Sequence, residues 1–333
     1  MDKKILKISK TIAIYLLLII FVCIISFHEW PYYVDTPGGL NNLNKRVIVE
    51  NGFESKGSIN LTYVSELPGT LPIMLVALFH PDWKIESKKD SNIGTLDYEK
   101  LMKREQILMK QSYTSAIKFA YETAEKKVNI EEEKCYVIYI FEEANTDLEV
   151  GDQILSIDGN KVNSCHEIRD YVINKNANEQ SNIIVKNDNK EYERNVKYVD
   201  IDGTIAIGIQ LGTEYILSTN PKYKLDFNTN EYGPSGGLMI SLAVYNSLVE
   251  EDITGGKTIA GTGTLDADGN VGEIGGIEYK LKGAVKKKAD IFFAPSGENY
   301  EEAKRIKEKK KYKIDVVEVK TFYDALNYLK KNM

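Results

Sequence analysis

Histidine and cysteine are scarce in this chain, three of each in 333 residues. The histidines, His28, His80 and His166, form no His-Glu-x-x-His pair, which excludes a zincin-type metalloprotease. None has the neighbours a Ser-His-Asp triad would need. A phosphate-cradling Gly-x4-Gly-Lys-Ser/Thr loop is missing too. The nearest run, Thr254-Gly-Gly-Lys-Thr, has Glu251 where the first glycine belongs. No bound nucleotide is therefore expected. Asp266-Ala-Asp268-Gly269-Asn270 fails the spacing of a calcium loop and reads as a hairpin turn. Neither a metal nor a cofactor is expected. The formal net charge is −6 and no segment is strongly basic, so nucleic acid is not an expected partner. Cys23 lies in an apolar run, leaving Cys135 and Cys165. They either pair in an oxidising compartment or stand as small buried hydrophobes, and spacing does not choose between the two.

What the chain does have begins at its N-terminus. Lys3, Lys4, Lys7 and Lys10 precede residues 11–27, which carry no charge. That length is near the lower limit for a membrane-spanning helix. Trp30, Tyr32 and Tyr33 follow as an interfacial aromatic belt. No small-x-small cleavage site follows the run, so an uncleaved anchor is favoured over a signal peptide. Val22 before Cys23 argues against a lipoprotein signal. Lysines ahead of the span stay cytoplasmic, which puts the remainder of the chain outside. Beyond it, Asp35-Thr-Pro-Gly-Gly is turn-rich, and 46–50 and 57–64 read as strands. Leu71–His80 reads as a short helix. Residues 98–127 form a strong helical pattern, carried by Leu101, Ile107, Leu108, Ala116, Ile117, Ala120 and Ala124.

The densest chemistry lies at Gly233-Pro234-Ser235-Gly236-Gly237. A helical apolar pattern starts directly after it, with Leu238, Leu242, Tyr245 and Val249 on one face. Ser235 thus falls at or just before a helix N-terminus, where free backbone N–H groups favour negative charge. The same placement suits a plain helix cap. A second run, Ile274-Gly-Gly-Ile277-Glu-Tyr-Lys280-Leu281, leads into a helix whose apolar face holds Ile277, Leu281, Ala284 and Val285. Lys280 falls on that face, whereas Lys282 and Lys286 point to solvent. A lysine aimed inward loses its proton easily and can act as a general base. The alternative is a stem that packs while its head reaches water.

These two runs, with Lys280 45 positions after Ser235, resemble the proteolytic domain of the Lon family. The resemblance extends to Thr258–Leu265, Ala289–Pro295 and Val317–Leu326, roughly residues 200–333. It implies Ser235 as nucleophile, Lys280 as its base and Thr262 as a supporting hydroxyl. Gly233, Pro234 and Gly236 would frame the oxyanion and the substrate. Where the family often has an acid three before the serine, Tyr232 stands, with Glu231 one further back. Residues 128–200 resemble a PDZ domain. Leu148-Glu-Val-Gly151-Asp152-Gln-Ile-Leu-Ser-Ile-Asp158-Gly159-Asn carries that likeness, with Ser164 capping a helix over 165–174. Such a domain adds an extended peptide to a strand edge. Its usual glycine loop is expected ahead of the first strand, where Glu131-Glu-Glu-Lys stands instead.

The resemblance implies a multidomain α+β protein. Residues 1–33 form a basic tail and transmembrane helix, 34–127 an α/β region with a long helix, 128–200 a β-rich PDZ-like domain and 201–333 a Lon-type proteolytic α/β domain. The expected activity is that of an ATP-independent, membrane-anchored serine endopeptidase acting on exported peptides or unfolded proteins. Lon-like domains also imply ring-shaped homo-oligomers. The alternative from another class is a tethered peptide-binding scaffold whose proteolytic domain is silent.

Overall fold

A computed structural model describes residues 3–91, 96–227 and 231–332, with side chains from Lys10 onward. The side chains of Lys3, Lys4 and Lys7, on which the expected orientation partly rests, lie outside the described residues. The chain opens with α1 (Lys3–Phe27), β1 (Glu29–Asn42), β2 (Val47–Val49), β3 (Ser58–Thr70), α2 (Leu71–Ala77), β4 (Lys84–Ser87) and α3 (Tyr98–Thr123). Then come β5 (Lys127–Ile140), β6 (Asn145–Thr146), β7 (Gln153–Ile157), β8 (Asn160–Lys161), α4 (Cys165–Val172), β9 (Gln180–Asn187) and β10 (Lys190–Lys197). Next are β11 (Val199–Ile201), β12 (Thr204–Ala206), β13 (Ile209–Asn220) and β14 (Tyr223–Leu225). The last part holds α5 (Gly237–Leu248), β15 (Thr258–Gly261), β16 (Thr264–Leu265), β17 (Val271–Gly272) and α6 (Ile277–Lys286). It ends with β18 (Ile291–Pro295), α7 (Glu298–Lys310), β19 (Asp315–Val319) and α8 (Phe322–Lys331).

Two compact units divide these elements, Met1–Pro37 with Val64–Ser91, and Gly38–Tyr63 with Asn92–Met333. In the smaller unit, β1 pairs antiparallel with β4, Tyr32 facing Ser87 and Asp35 facing Lys84. The window Lys10–Phe27 of α1 is long and apolar enough to cross a membrane, and none of it is buried within the protein.

In the larger unit, four strands run parallel in the order β3, β15, β18, β19. Ile59 lies beside Ile259, and Phe292 beside Val316. Parallel neighbours need crossovers that cover both faces of the sheet. Here α6 and α7 supply Ile277, Leu281, Ala284, Ala303 and Ile306 to one core. The second core joins α5, α8 and α3 through Leu238, Leu242, Phe322, Ala325, Tyr113, Ile117 and Ala120. Nearly every residue of α5 is buried, more than the single apolar face read from its periodicity. Such a helix is apolar all round because it has no solvent side.

Residues 58–61 thus pair directly with Thr258–Gly261, in line with parallel strands from residues 291–319. The sequence reading put these pieces in separate domains.

The PDZ region forms its own antiparallel sheet, in the order β13, β5, β7, β9, β10, β6. Strand β13 pairs with β5 along its whole length, from Ile209 beside Ile140 to Asn220 beside Lys127. The boundary expected at residue 200 therefore cuts through a continuous sheet. The Asp158-Gly159 turn takes positive φ at both residues, as a tight β7–β8 connection needs. Ser164 caps α4 by accepting the Glu167 N–H. Cys135 of β5 and Cys165 of α4 are joined by a disulfide, with Cα atoms 5.3 Å apart.

Candidate active site

Ser235 lies two residues before α5, half-buried, in a loop held on three sides. Its carbonyl oxygen accepts the Gly263 N–H (2.8 Å) and the Thr262 hydroxyl (3.1 Å). The Gly263 carbonyl in return accepts the Leu238 N–H (3.1 Å). These bonds tie the serine loop to the end of β15. From the other side, Ser112 of α3 donates its hydroxyl to the Pro234 carbonyl (2.7 Å). Upstream, Glu231 pairs with Arg46 (2.6 Å), while Tyr232 is exposed. The acid one place further back than the family pattern thus anchors the loop by a charge pair.

Close packing demands glycine here. A Cβ on Gly237 would stand 2.6 Å from the Leu265 nitrogen and 2.8 Å from Ser112 Oγ. Gly233 takes φ 96°, a conformation that side chains oppose.

Lys280 lies on the buried face of α6 with Ile277, Leu281 and Ala284 and is 4% exposed. The expected snorkelling alternative is thereby set aside. Its Nζ donates to Thr262 Oγ1 at 3.1 Å. Burial lowers its pKa from the ordinary 10.5 to about 7, because a charged amine loses its hydration there. Near neutral pH a large share of Lys280 is uncharged. Thr262, wholly buried, accepts from Lys280 and donates to Ser235, so three expected residues join in one chain of hydrogen bonds. No hydrogen bond links Ser235 Oγ to Lys280 Nζ among the described residues. The two are joined through Thr262 and the serine main chain.

The expected oxyanion donors separate into two kinds. Gly233 commits its N–H to the Glu105 carbonyl (3.3 Å), so it is not free to hold substrate. Pro234 has no N–H, and its carbonyl is taken by Ser112. The N–H groups of Ser235 and Gly236 find no acceptor among the described residues, and they precede a helix N-terminus, where anions are favoured.

Three contributors escaped the sequence reading, all on α3. Ser112 and the Glu105 carbonyl hold the loop, and Tyr113 packs where a Cβ on Gly236 would stand 3.0 Å from its ring. A signal existed. Ser112 falls four before Ala116, a hydroxyl on the otherwise apolar face.

The same helix reaches the PDZ sheet. Gln111 Oε1 accepts the Thr213 N–H (3.2 Å) and Thr114 Oγ1 the Tyr215 N–H (3.4 Å), covering that stretch of the free edge of β13. Next to it, Ile209–Leu211 and α4 flank a groove of about 660 Å³, lined by Ile168, Val172, Ile205 and Leu211. The turn into β13 carries Gly208 at φ 80°, where a Cβ would lie 2.8 Å from that of Ala144. Gly208 thus sits beside Phe141, at the far end of β5 from Glu131–Lys134. Residues 131–134 run inside β5, opposite Glu214–Ile216.

Residues 117–198 match the PDZ domain family, and residues 227–331 match the Lon protease (S16) C-terminal proteolytic domain. Among solved structures, the PDZ domain of the SdrC-like protein from Listeria monocytogenes is 32% identical. That match covers 26% of this chain and 92% of that one, with a TM-score of 0.22. The corresponding domain from Listeria innocua is 34% identical over 23% of this chain and 92% of that one, with a TM-score of 0.23. No curated protein matches the chain.

Proposed function

We propose that this chain, a protease by its Lon-type C-terminal proteolytic domain and equipped with a peptide-binding PDZ domain, cleaves peptide bonds with a Ser235–Lys280 dyad. The observation that carries the reading is the buried lysine, its pKa drawn down to about 7 and its amine two hydrogen bonds from the serine main chain. Neutral Lys280 takes the proton of the Ser235 hydroxyl as Oγ attacks the scissile carbonyl. The tetrahedral oxyanion is met by the Ser235 and Gly236 N–H groups, a kind of contact worth about 3 kcal/mol in related chemistry. Lys280 then returns the proton to the leaving amine, and water resolves the acyl-enzyme by the reverse course. Thr262 keeps the amine aimed. In free enzymes such catalytic hydrogen bonds are often long, and substrate closes them.

Lacking a phosphate loop, the enzyme works without ATP on chains already extended or unfolded. The groove between α4 and Ile209–Leu211 receives an extended segment by strand addition. Helix α1 anchors the protein in the membrane with the catalytic domain outside. The Cys135–Cys165 disulfide supports that side, since structural disulfides belong to oxidising compartments.

The test is digestion of fluorescent casein by the purified full chain. Wild type should release peptides without ATP, and Ser235→Ala and Lys280→Ala should each be inert. Digestion that survives either change refutes the dyad. Lys280→Arg should be inert as well, because guanidinium does not give up its proton.

A further inference from the structure

The smaller unit carries an apolar surface besides that of α1. Along α2 and the residues after it, Leu71, Leu75, Val76, Leu78 and Phe79 are exposed, Leu78 by 71% and Phe79 by 85%. They form one broad stripe, and Ala77, on the opposite side, is buried. No Asp, Glu, Lys or Arg occurs between Glu66 and Asp82. Leaving such side chains in water forgoes the gain of removing their apolar surface from solvent.

The position of this stripe follows from the strands that carry it. Thr36 Oγ1 donates to the Ser65 carbonyl, and a Cβ on Gly69 would stand 2.3 Å from the Tyr32 carbonyl oxygen. Strand β3 therefore runs antiparallel beside β1, and Thr70–Leu71 comes opposite Trp30–Pro31. Those residues stand just past the end of α1 at Phe27. Helix α2 thus begins level with the exit of α1, and the two helices touch. Aromatic residues stand at that level. Trp30 and Tyr32 are exposed. Trp and Tyr are the side chains that favour a membrane–water boundary.

We propose that α2 and the Leu78–Phe79 tip sink into the lipid layer beside the end of α1, as a second, shallow membrane contact. The proposal rests on the reading of α1 as a membrane anchor. Seven helical residues span only about 10 Å, which suits the headgroup–acyl boundary and not a crossing. Lipid is favoured over a second protein by the missing charge. Protein interfaces carry a polar rim around their apolar centre. This stripe instead continues into an α1 surface that is apolar on every side.

The experiment uses the full chain in phosphatidylcholine vesicles, with and without bromine at acyl carbons 6 and 7. Trp30→Phe and Trp83→Phe remove the two native indoles. Phe79→Trp then places a single reporter at the tip, and Phe21→Trp places one within α1 in a separate variant. The tip reporter should emit at shorter wavelength than in water and lose about half its intensity in brominated vesicles, as expected for a side chain below the headgroups. Adding Leu75→Asp and Leu78→Asp should restore the emission. If the α1 reporter is quenched by bromine and the tip reporter remains open to aqueous acrylamide, the proposal fails while the anchor stands. If neither is quenched, the anchor reading fails with it. A tip shielded from both quenchers, in a protein that sediments as an oligomer, assigns the stripe to a second copy and also overturns the proposal.

Discussion

Replacing Lys280 by methionine should abolish proteolysis and yet make the protein harder to unfold. Among the described residues the lysine is paired only with the Thr262 hydroxyl, and its pKa falls from 10.5 to about 7 on folding. At 1.36 kcal/mol per unit, the folded state gives up about 4 kcal/mol at pH 7 to keep this amine inside. Between pH 7 and 10.5 the unfolded chain holds a proton that the folded chain has shed. Wild-type stability therefore rises with pH across that window, by up to about 1.4 kcal/mol per unit, and the penalty shrinks to about 2 kcal/mol at pH 9. Methionine has a similar length and no charge, so it removes this dependence. It also leaves Thr262 without its donor, a loss of about 1 kcal/mol. The variant should exceed wild type by about 3 kcal/mol at pH 7 and by about 1 kcal/mol at pH 9. Urea unfolding followed by circular dichroism at pH 7, 8 and 9 measures the difference. A gap that stays constant with pH, or a variant weaker than wild type at pH 7, would refute the claim that this amine is buried and close to neutral.

The same amine sets a pH profile. Cleavage should climb as pH rises through about 7 and level off above it, because only the deprotonated amine accepts the serine proton. A profile flat from pH 5.5 to 8.5 contradicts that role. Ser112→Ala frees the Pro234 carbonyl, so kcat for a short peptide should fall about tenfold with KM little changed, as for a misplaced nucleophile. Equal loss in both constants would assign Ser112 to substrate binding instead. Cys135→Ala with Cys165→Ala should lower the stability of the PDZ region by about 3 kcal/mol, since a crosslink 30 residues long no longer restrains the unfolded chain. Unchanged hydrogen exchange across α4 and β5 would rule against that contribution.

Local patterns carried the parts of the site that depend on one helix. The placing of Lys280 with Ile277, Leu281 and Ala284 follows from helical periodicity alone, and the burial of that face agrees with it. Ser164 as a cap and Asp158-Gly159 as a turn are equally local, because their hydrogen bonds close within a few residues. Contacts between distant segments left no such trace. Nothing near Ser58–Leu61 announces that it will lie beside Thr258–Gly261, since parallel pairing specifies a face and no partner. The basic and acidic residues of α3 read as a solvated surface. Yet Ser112, Gln111 and Thr114 on the same helix bond to the serine loop and to β13, and only the fold could bring those partners together.

The interleaving of β3 with β15 also governs when this enzyme can exist. A ribosome that has made residue 250 has supplied Ser235 but not β15, β18 and α6, so β3 lacks its parallel neighbour and Ser235 lacks Thr262 and Lys280. The hydrogen-bonded set of Ser235, Thr262 and Lys280 is therefore complete only once α6 has been made. Fragments that begin near residue 200 should be soluble only with difficulty, because Ile259 and its neighbours would present a bare sheet edge.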